Sequence, residues 1–130
     1  MRALIAEDEF MGRKILLEFI KALFEVDIVV NGKEAVDAFI LAHKEGKPYD
    51  VIFMDIMMPI MDGVDALEKI RSYEETNALS PKTKTIMTTA VGDAKTIIRS
   101  FHDGGASSYL VKPLDKESLM NELRKMEFID

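Results

Sequence analysis

Cysteine is absent from this chain of 130 residues, and basic side chains are outnumbered, with 17 Lys and Arg against 23 Asp and Glu. Without cysteine there is no disulfide bond and no thiolate metal site, which fits the cytoplasm, the location that we expect. The net charge of −6 gives no long-range attraction to nucleic acid or to an anionic membrane. No apolar stretch approaches the roughly 20 residues that span a bilayer. We therefore expect neither nucleic acid nor a membrane as partner.

Short apolar runs alternate with segments of helical periodicity along the whole chain. Five runs flanked by turn residues predict strands, and apolar residues at helical spacing between them predict helices. The predicted strands are Arg2–Ala6, Val26–Val30, Tyr49–Met54, Lys84–Thr89 and Ser107–Val111. The inward positions of the five predicted helices are, in chain order, Met11, Ile15, Phe19 and Leu23; Val36, Phe39 and Ile40; Val64, Leu67 and Ile70; Ala94, Ile97, Ile98 and Phe101; Leu119, Leu123 and Met126.

Helix signals support this division. Asn31 followed by Glu34 resembles a capping box at the start of the second helix, and Asp115 is expected to cap the fifth. Because connections between parallel strands are right-handed, the pattern predicts an α/β fold of the (βα)₅ type. The expected form is a doubly wound, five-stranded parallel sheet with strand order 2-1-3-4-5. Residues 1–130 are predicted to form one domain, a common size for a single domain.

Polar side chains follow the apolar runs where four of the strands end. They are Glu7-Asp8-Glu9, Asp55, Thr88-Thr89 and Lys112-Pro113. In a doubly wound sheet, ligands bind outside the carboxyl ends of the strands, so these groups are predicted to converge. A pocket with three acids, a hydroxyl and an ammonium suits a hard cation and a phosphoryl group.

These residues carry a resemblance that covers the whole chain. Four motifs in order resemble those of the receiver domain of two-component response regulators, especially the single-domain chemotaxis type with its flavodoxin-like fold. The motifs are Glu7-Asp8, Asp55–Gly63, Thr89-Ala90, and Tyr109 three residues before Lys112-Pro113. Each would be weak alone, and together they form a specific signature.

The resemblance implies a phosphorylation site at Asp55 with a magnesium ion beside it. In the family pattern, Asp8 and Asp55 bind Mg²⁺ directly, the main-chain carbonyl of Met57 is a third ligand, and Glu7 acts through a water. Such a protein is a phosphoacceptor regulator, not a separate enzyme, and it promotes both its own phosphorylation and its own dephosphorylation. Met57 and Val91 occupy the two positions that flank the attacking water in this family. Because both are apolar, we expect slow self-dephosphorylation.

The resemblance also implies a switch made of Thr89 and Tyr109. Thr89 would donate a hydrogen bond to the phosphoryl group, and the Tyr109 ring would turn inward when Thr89 moves. Thr88 is a competing candidate one residue earlier, but the family pattern of Thr followed by a small residue, here Ala90, favours Thr89. Lys112 would pair with the phosphoryl group, with Asp55 as its partner before phosphorylation, and the family has a cis bond at this Lys-Pro.

The expected function is a signalling switch that takes a phosphoryl group from a histidine kinase and then docks on a target protein, with a phosphatase as a possible further partner. The expected docking surface comprises the fourth helix, fifth strand and fifth helix, near Lys95, Arg99, Tyr109 and Leu119. Within this family, a phosphorelay shuttle and a receiver that binds partners without phosphorylation remain alternatives. A haloacid-dehalogenase-type phosphatase would need an acid where Met57 stands. A flavin mononucleotide carrier would need a Ser/Thr/Gly-rich loop in place of Glu7-Asp8-Glu9.

Overall fold

The computed structural model describes residues 1–90, 98–99 and 105–130 of the chain. Its five strands are β1 (Arg2–Ala6), β2 (Glu25–Val29), β3 (Val51–Asp55), β4 (Lys84–Thr89) and β5 (Ser108–Val111). Four helices lie wholly within the described residues, namely α1 (Phe10–Ile20), α2 (Gly32–Lys44), α3 (Gly63–Thr76) and α4 (Lys116–Lys125). The helix α4 is the predicted fifth helix. Of the predicted fourth helix, Ile98 and Arg99 are helical, and Ala94, Ile97 and Phe101 lie outside the described residues.

The five strands form one parallel sheet in the order β2-β1-β3-β4-β5, which confirms the predicted fold and strand order. The bounds of β1 and β4 are as predicted, and those of β2, β3 and β5 differ from the prediction by one or two residues. Asp55 is the last residue of β3 and not the first residue of the following loop. Among the described residues, no helix has both the length and the apolar character that a transmembrane segment requires.

Apolar side chains cover both faces of the sheet, so the fold has two cores. Alternate residues of β1 show this, because successive side chains of a strand point to opposite faces. Leu4 and Ala6 belong to a cluster with residues of α2 and α3, whereas Ala3 and Ile5 belong to a cluster with residues of α1 and α4. With both faces covered, the carboxyl edge of the sheet is where loops and polar side chains gather.

The inward face predicted for the first helix is only partly right, because Phe19 and Leu23 pack against the core at partial burial but Met11 and Ile15 do not. Met11 and Ile15 are 59% and 39% exposed, whereas the buried residues of α1 are Leu16 and Ile20. Apolar residues occupy most of this helix, so periodicity alone allowed two neighbouring faces. Packing against the sheet selects the face with Leu16 and Ile20.

The predicted helix caps are confirmed. The Asn31 Oδ1 atom accepts a hydrogen bond from the Glu34 main-chain N–H at 2.8 Å. The Glu34 Oε1 atom in turn accepts one from the Val30 main-chain N–H at 3.0 Å. At the last helix, Asp115 Oδ1 accepts from the Ser118 N–H at 2.8 Å. Each bond satisfies a main-chain donor that the helix itself leaves free, and so fixes where the helix begins.

A buried ion pair at the carboxyl end of α3 has no counterpart in the predictions. Glu74 is 1% exposed, and its two oxygens accept from Arg71 Nη1 at 2.6 Å and from the Thr83 N–H at 2.7 Å. The Arg71 guanidinium also donates to the Gly105 carbonyl at 3.1 Å and to Thr85 Oγ1 at 3.2 Å. This network fastens α3 to the start of β4 and to the segment before β5.

Candidate functional site

Three acidic side chains meet at the carboxyl edge of the sheet. Glu7 and Asp8 follow β1 directly, and Asp55 ends β3, which is hydrogen-bonded to β1. One carboxylate oxygen from each residue lies within 4.8 Å of the others. Glu7 and Asp55 are buried, whereas Asp8 is exposed. The two neighbouring strands thus place a half-open acidic pocket at the predicted edge.

Lys112 brings a positive charge into this pocket from the end of β5. Its Nζ atom lies 2.6 Å from Glu7 Oε1 and 3.2 Å from Asp55 Oδ2. The expected ion pair with Asp55 is therefore present, but Glu7 is the nearer partner. Both carboxylates contact the same ammonium group, and the longer Glu7 side chain makes the shorter contact. The peptide bond between Lys112 and Pro113 is cis, as the resemblance implied.

Burial makes the charges of this pocket strongly interdependent. Burial raises the pKa of Asp55 to about 8, with the neighbouring Glu7 carboxyl group acting in the same direction and Lys112 in the opposite one. Burial also acts to raise the pKa of Glu7, but its hydrogen bonds with Asp55 and Lys112 outweigh this and hold that pKa below its usual value. Without a metal, Glu7 therefore ionises more readily than Asp55, whose raised pKa favours its protonated form at neutral pH.

The pocket fits a hard divalent cation. Its donors are carboxylate oxygens, the ligands that Mg²⁺ prefers. The Glu7 Oε2 atom is buried and has no hydrogen-bond partner among the described residues, so it retains the capacity to accept from a metal-bound water. Met57, two residues after Asp55, has a side chain that is 67% exposed. The expected contribution of Met57 is its main-chain carbonyl, which does not depend on the sulfur atom.

The loop after Asp55 turns back so tightly that one position admits only glycine. The Gly63 N–H donates to the Ile56 carbonyl at 2.8 Å, and a Cβ atom at position 63 would lie 2.1 Å from the Asp55 carbonyl oxygen. The preceding Asp62 caps α3 by accepting from the Asp65 N–H at 2.8 Å. The Asp-Gly pair that ends the motif thus holds the loop against β3.

Arg13 supports the acid pair and was missed by the sequence reasoning. Its Nη1 atom donates to the main-chain carbonyls of Glu7 and Asp8 at 3.2 and 2.9 Å. These bonds anchor the turn between β1 and α1. In a single sequence Arg13 is one basic residue of an amphipathic helix, and no motif distinguishes it.

Thr89 ends β4 at the rim of the pocket. The strand register aligns Asp55 with Thr88, so Thr89 lies one residue further toward the carboxyl edge. The Thr89 hydroxyl is 3.3 Å from the carbonyl of Ala90, and the Lys112 N–H donates to the Thr89 carbonyl at 2.7 Å. The structure brings Glu7, Asp8, Asp55 and Lys112 into one cluster and places Thr89 beside them.

The outer face of β5 includes Tyr109, whose side chain is 42% exposed. A groove of about 500 Å³ runs between β5 and α4, with Tyr109 and Ser118 in its lining. Leu119, which was expected near the docking surface, is fully buried in the core and does not reach this surface. Arg99 pairs with Asp65 of α3 at 2.6 Å. Lys95 and Val91 lie outside the described residues.

Comparison with known proteins identifies similar chains. The family model of the response regulator receiver domain matches residues 3–124. The chemotaxis protein CheY of Thermotoga maritima is 35% identical over 127 residues, which cover 96% of this chain and 96% of that protein. The peroxide stress-activated histidine kinase mak2 of Schizosaccharomyces pombe is 36% identical over 98% of this chain, but the chain spans only 6% of that kinase.

Solved structures agree in fold. In the complex of the Saccharomyces cerevisiae histidine phosphotransfer protein Ypd1 with the receiver domain of Ssk1, a similar chain has a TM-score of 0.83 and 26% identity, and the match covers 99% of this chain and 92% of that one. The receiver domain of the Arabidopsis thaliana histidine kinase CKI1, complexed with Mg²⁺ and BeF₃⁻, has a TM-score of 0.78 and 28% identity, with 97% and 89% covered.

Proposed function

The chain belongs to the response regulator receiver domain family of two-component systems, and we propose that Asp55 is its phosphoacceptor. The observation that supports this most directly is the position of Asp55. It is a buried carboxyl group at the end of β3, with Glu7 and Asp8 on one side and the Lys112 ammonium group 3.2 Å away. A carboxylate held in this way can act as a nucleophile toward a phosphoryl group.

The proposed reaction transfers a phosphoryl group from a phosphohistidine. An oxygen of the Asp55 carboxylate attacks phosphorus, the phosphorus–nitrogen bond breaks, and its electron pair remains on the imidazole. Lys112 pairs with the negative charge that gathers on the phosphoryl oxygens, and the Thr89 hydroxyl donates a hydrogen bond to one of them. Positioning and charge neutralisation of this kind account for most of the catalysis of phosphoryl transfer.

The proposed cofactor is Mg²⁺. Asp8, Asp55 and the Met57 carbonyl would hold it directly, and Glu7 through a water. Bound there, Mg²⁺ supplies positive charge next to the phosphoryl oxygens and offsets the repulsion among the carboxylates. The CKI1 receiver domain, a solved relative, contains Mg²⁺, and the acidic cluster of the present chain offers carboxylate ligands suited to that ion.

The proposed partners are a phosphodonor protein and a target. A histidine kinase occurs among the relatives, and the Ssk1 receiver domain, a solved relative, is bound to a histidine phosphotransfer protein. The donor is therefore expected to be a protein of one of these classes, with the cytoplasm as the expected location. The target would dock along the groove between β5 and α4, close to Tyr109. A separate phosphatase would end the signal.

Phosphorylation with a small-molecule donor tests the assignment of Asp55. With acetyl phosphate and Mg²⁺, intact-mass measurement should show one added phosphate, mapped to Asp55. Asp55→Asn should abolish the addition, and Asp8→Ala should nearly abolish it through loss of a metal ligand. Glu9→Gln is the matched control, because Glu9 is an exposed acid beside the pocket. Modification at another residue, or none with Mg²⁺ present, would refute the proposal.

The proposed switch has its own test. The Lys112 N–H bond to the Thr89 carbonyl links the ends of β4 and β5, so a movement of Thr89 can reach Tyr109 through these strands. Phosphorylation should shift the amide NMR signal of Tyr109 in the wild type. Thr89→Ala should still be phosphorylated but should lose most of this shift, whereas Thr88→Ala should retain it. An unchanged shift in Thr89→Ala would contradict the assignment of Thr89.

A further inference from the structure

Gly12 lies in the first turn of α1 and faces the side chain of Glu7. A Cβ atom built at position 12 would lie 2.1 Å from Glu7 Oε1, and 2.9 Å from both the Cδ and the Cγ atoms of the same side chain. Carbon and oxygen atoms that are not bonded do not approach this closely. Any residue other than glycine at position 12 would therefore displace the Glu7 side chain from where it lies.

The atom nearest to that absent Cβ is also the atom that holds Lys112. Glu7 Oε1 accepts from Lys112 Nζ at 2.6 Å, and Glu7 is only 1% exposed. A displaced Glu7 carboxylate would have to leave the ammonium group or push toward Asp55. The ion pair between Glu7 and Lys112 therefore depends on the space that glycine leaves at position 12.

Nothing in the backbone of α1 calls for glycine at this position. Gly12 does not have the left-handed φ that favours glycine, and it lies within the helix Phe10–Ile20. Glycine destabilises a helix relative to alanine, so conformation alone would favour alanine. The property of glycine that matters at this position is therefore its lack of a side chain.

We propose that Gly12 is a positioning residue, matched in size to Glu7, whose missing side chain lets the long Glu7 carboxylate hold Lys112 beside Asp55. The role of this pair in metal binding and phosphorylation rests on the proposed function of the pocket. The match is specific to glutamate. An aspartate at position 7 is shorter by one methylene and lacks the oxygen at 2.1 Å, so its nearest remaining atom would be the Cγ atom at 2.9 Å from a Cβ at position 12. A small shift of this shorter side chain would then admit alanine there.

A cycle of four proteins tests the match: wild type, Gly12→Ala, Glu7→Asp, and the double variant. Mg²⁺ affinity is measured by calorimetry and thermal stability by the Tm. Because a residue that orients a metal ligand typically contributes about 10-fold to metal affinity, Gly12→Ala should weaken Mg²⁺ binding about 10-fold when glutamate occupies position 7. In the Glu7→Asp background the same change should alter the affinity less than about 2-fold, because the shorter ligand overlaps that space much less.

Gly12→Ala should change the Tm in opposite directions in the two backgrounds. Gly12→Ala should lower the Tm when glutamate occupies position 7, because the buried carboxylate is displaced. In the Glu7→Asp background it should raise the Tm by about 3 °C, because alanine is the better helix former and a domain of this size gains a few degrees per kcal/mol. Lys14→Ala, at an exposed position of the same helix, is the control for a helix substitution without this contact.

Two results would overturn the pairing: an equal change of Mg²⁺ affinity in both backgrounds, or no effect of Gly12→Ala beside Glu7. If Gly12→Ala fails to fold, recovery of the folded protein in the double variant still supports the pairing, and failure of both variants refutes it. The Tm cycle does not involve phosphorylation. A wild type that is never phosphorylated would therefore refute the proposed function while the Tm cycle still decides the pairing.

Discussion

Raising the pH should strengthen Mg²⁺ binding, and the pKa of Asp55 determines by how much. In the metal-free protein, burial and Glu7 raise the pKa of Asp55 to about 8, whereas Glu7 remains ionised because its pKa is lowered. A carboxyl group must lose its proton to bind a metal. Below about pH 8, Mg²⁺ therefore competes with the proton of the Asp55 carboxyl group, and above this pH it does not.

The magnitude follows from this competition. Each pH unit below the pKa weakens the apparent affinity about 10-fold, so the step from about pH 9 to about pH 6 should raise the apparent Kd about 100-fold, or roughly 2.7 kcal/mol. Calorimetric titration with Mg²⁺ at constant ionic strength measures the Kd. Repeated near about pH 6.5 in buffers of different ionisation enthalpy, it should also show the release of about one proton per bound ion.

The same pKa fixes the sign of the stability change in the absence of metal. Asp55 has a higher pKa in the folded protein than in the unfolded chain, so the folded state binds more protons between about pH 4 and about pH 8. The contribution of Asp55 to the free energy of unfolding is fully present below the lower pKa and is lost as the pH rises through about 8. Added Mg²⁺ should restore stability most strongly at the alkaline end.

Asp55→Asn is the control for both measurements. Asparagine retains the shape of the side chain but does not titrate, so the variant should bind Mg²⁺ weakly and with little dependence on pH over this range. A wild-type Kd that changes less than about 3-fold between about pH 6 and about pH 9 would refute the argument, because a pKa near 8 requires a far larger change. An unchanged pH dependence in Asp55→Asn would show that another group supplies the proton.

Three further predictions concern stability and signal lifetime. Glu74→Gln should lower the free energy of unfolding by about 3 kcal/mol in urea titrations, because it leaves the partly buried Arg71 guanidinium without its carboxylate partner; a loss below about 1 kcal/mol would contradict this. Asp115→Ala should cost about 1 kcal/mol through loss of the cap of α4, whereas Asp115→Asn should largely preserve the cap; equal losses would exclude capping as the cause. Met57→Asn should speed phosphate loss several-fold by orienting the attacking water, with Met57→Leu as the apolar control; an equal lifetime in wild type and Met57→Asn would show that polarity there does not set it.

Part of the site could be predicted because each of its residues follows a strand that is recognisable locally. Glu7 and Asp8, Asp55, Thr89 and Lys112 all stand at or just after the carboxyl end of an apolar run. A parallel sheet brings such ends to one edge whatever the details of packing. Their convergence therefore follows from order along the chain, and the contacts among Glu7, Asp55 and Lys112 confirm it.

Other features of the fold depended on how the helices pack against the sheet and against one another. The buried face of α1 was only partly predicted, because apolar residues lie on two neighbouring faces of the helix and only contact with the sheet selected Leu16 and Ile20 as its buried residues. Leu119 was placed on a docking surface, although packing of α4 buries it completely. Arg71 and Glu74 are three residues apart on α3, but nothing local signalled that the pair would be joined to Thr83 and Gly105, which lie in two other segments.

The sequence by itself determined the alternating α/β fold, the strand order and the set of polar residues at the sheet edge. Apolar periodicity and turn residues are local signals, and right-handed connections restrict how the strands assemble. Only the tertiary structure decided that Glu7 is the nearer partner of Lys112, that Gly12 leaves room for it, and that Arg13 holds the turn of the acid pair. Glu7 and Lys112 are 105 residues apart in the chain. Their side chains come into contact only because β1 and β5 lie in the same sheet.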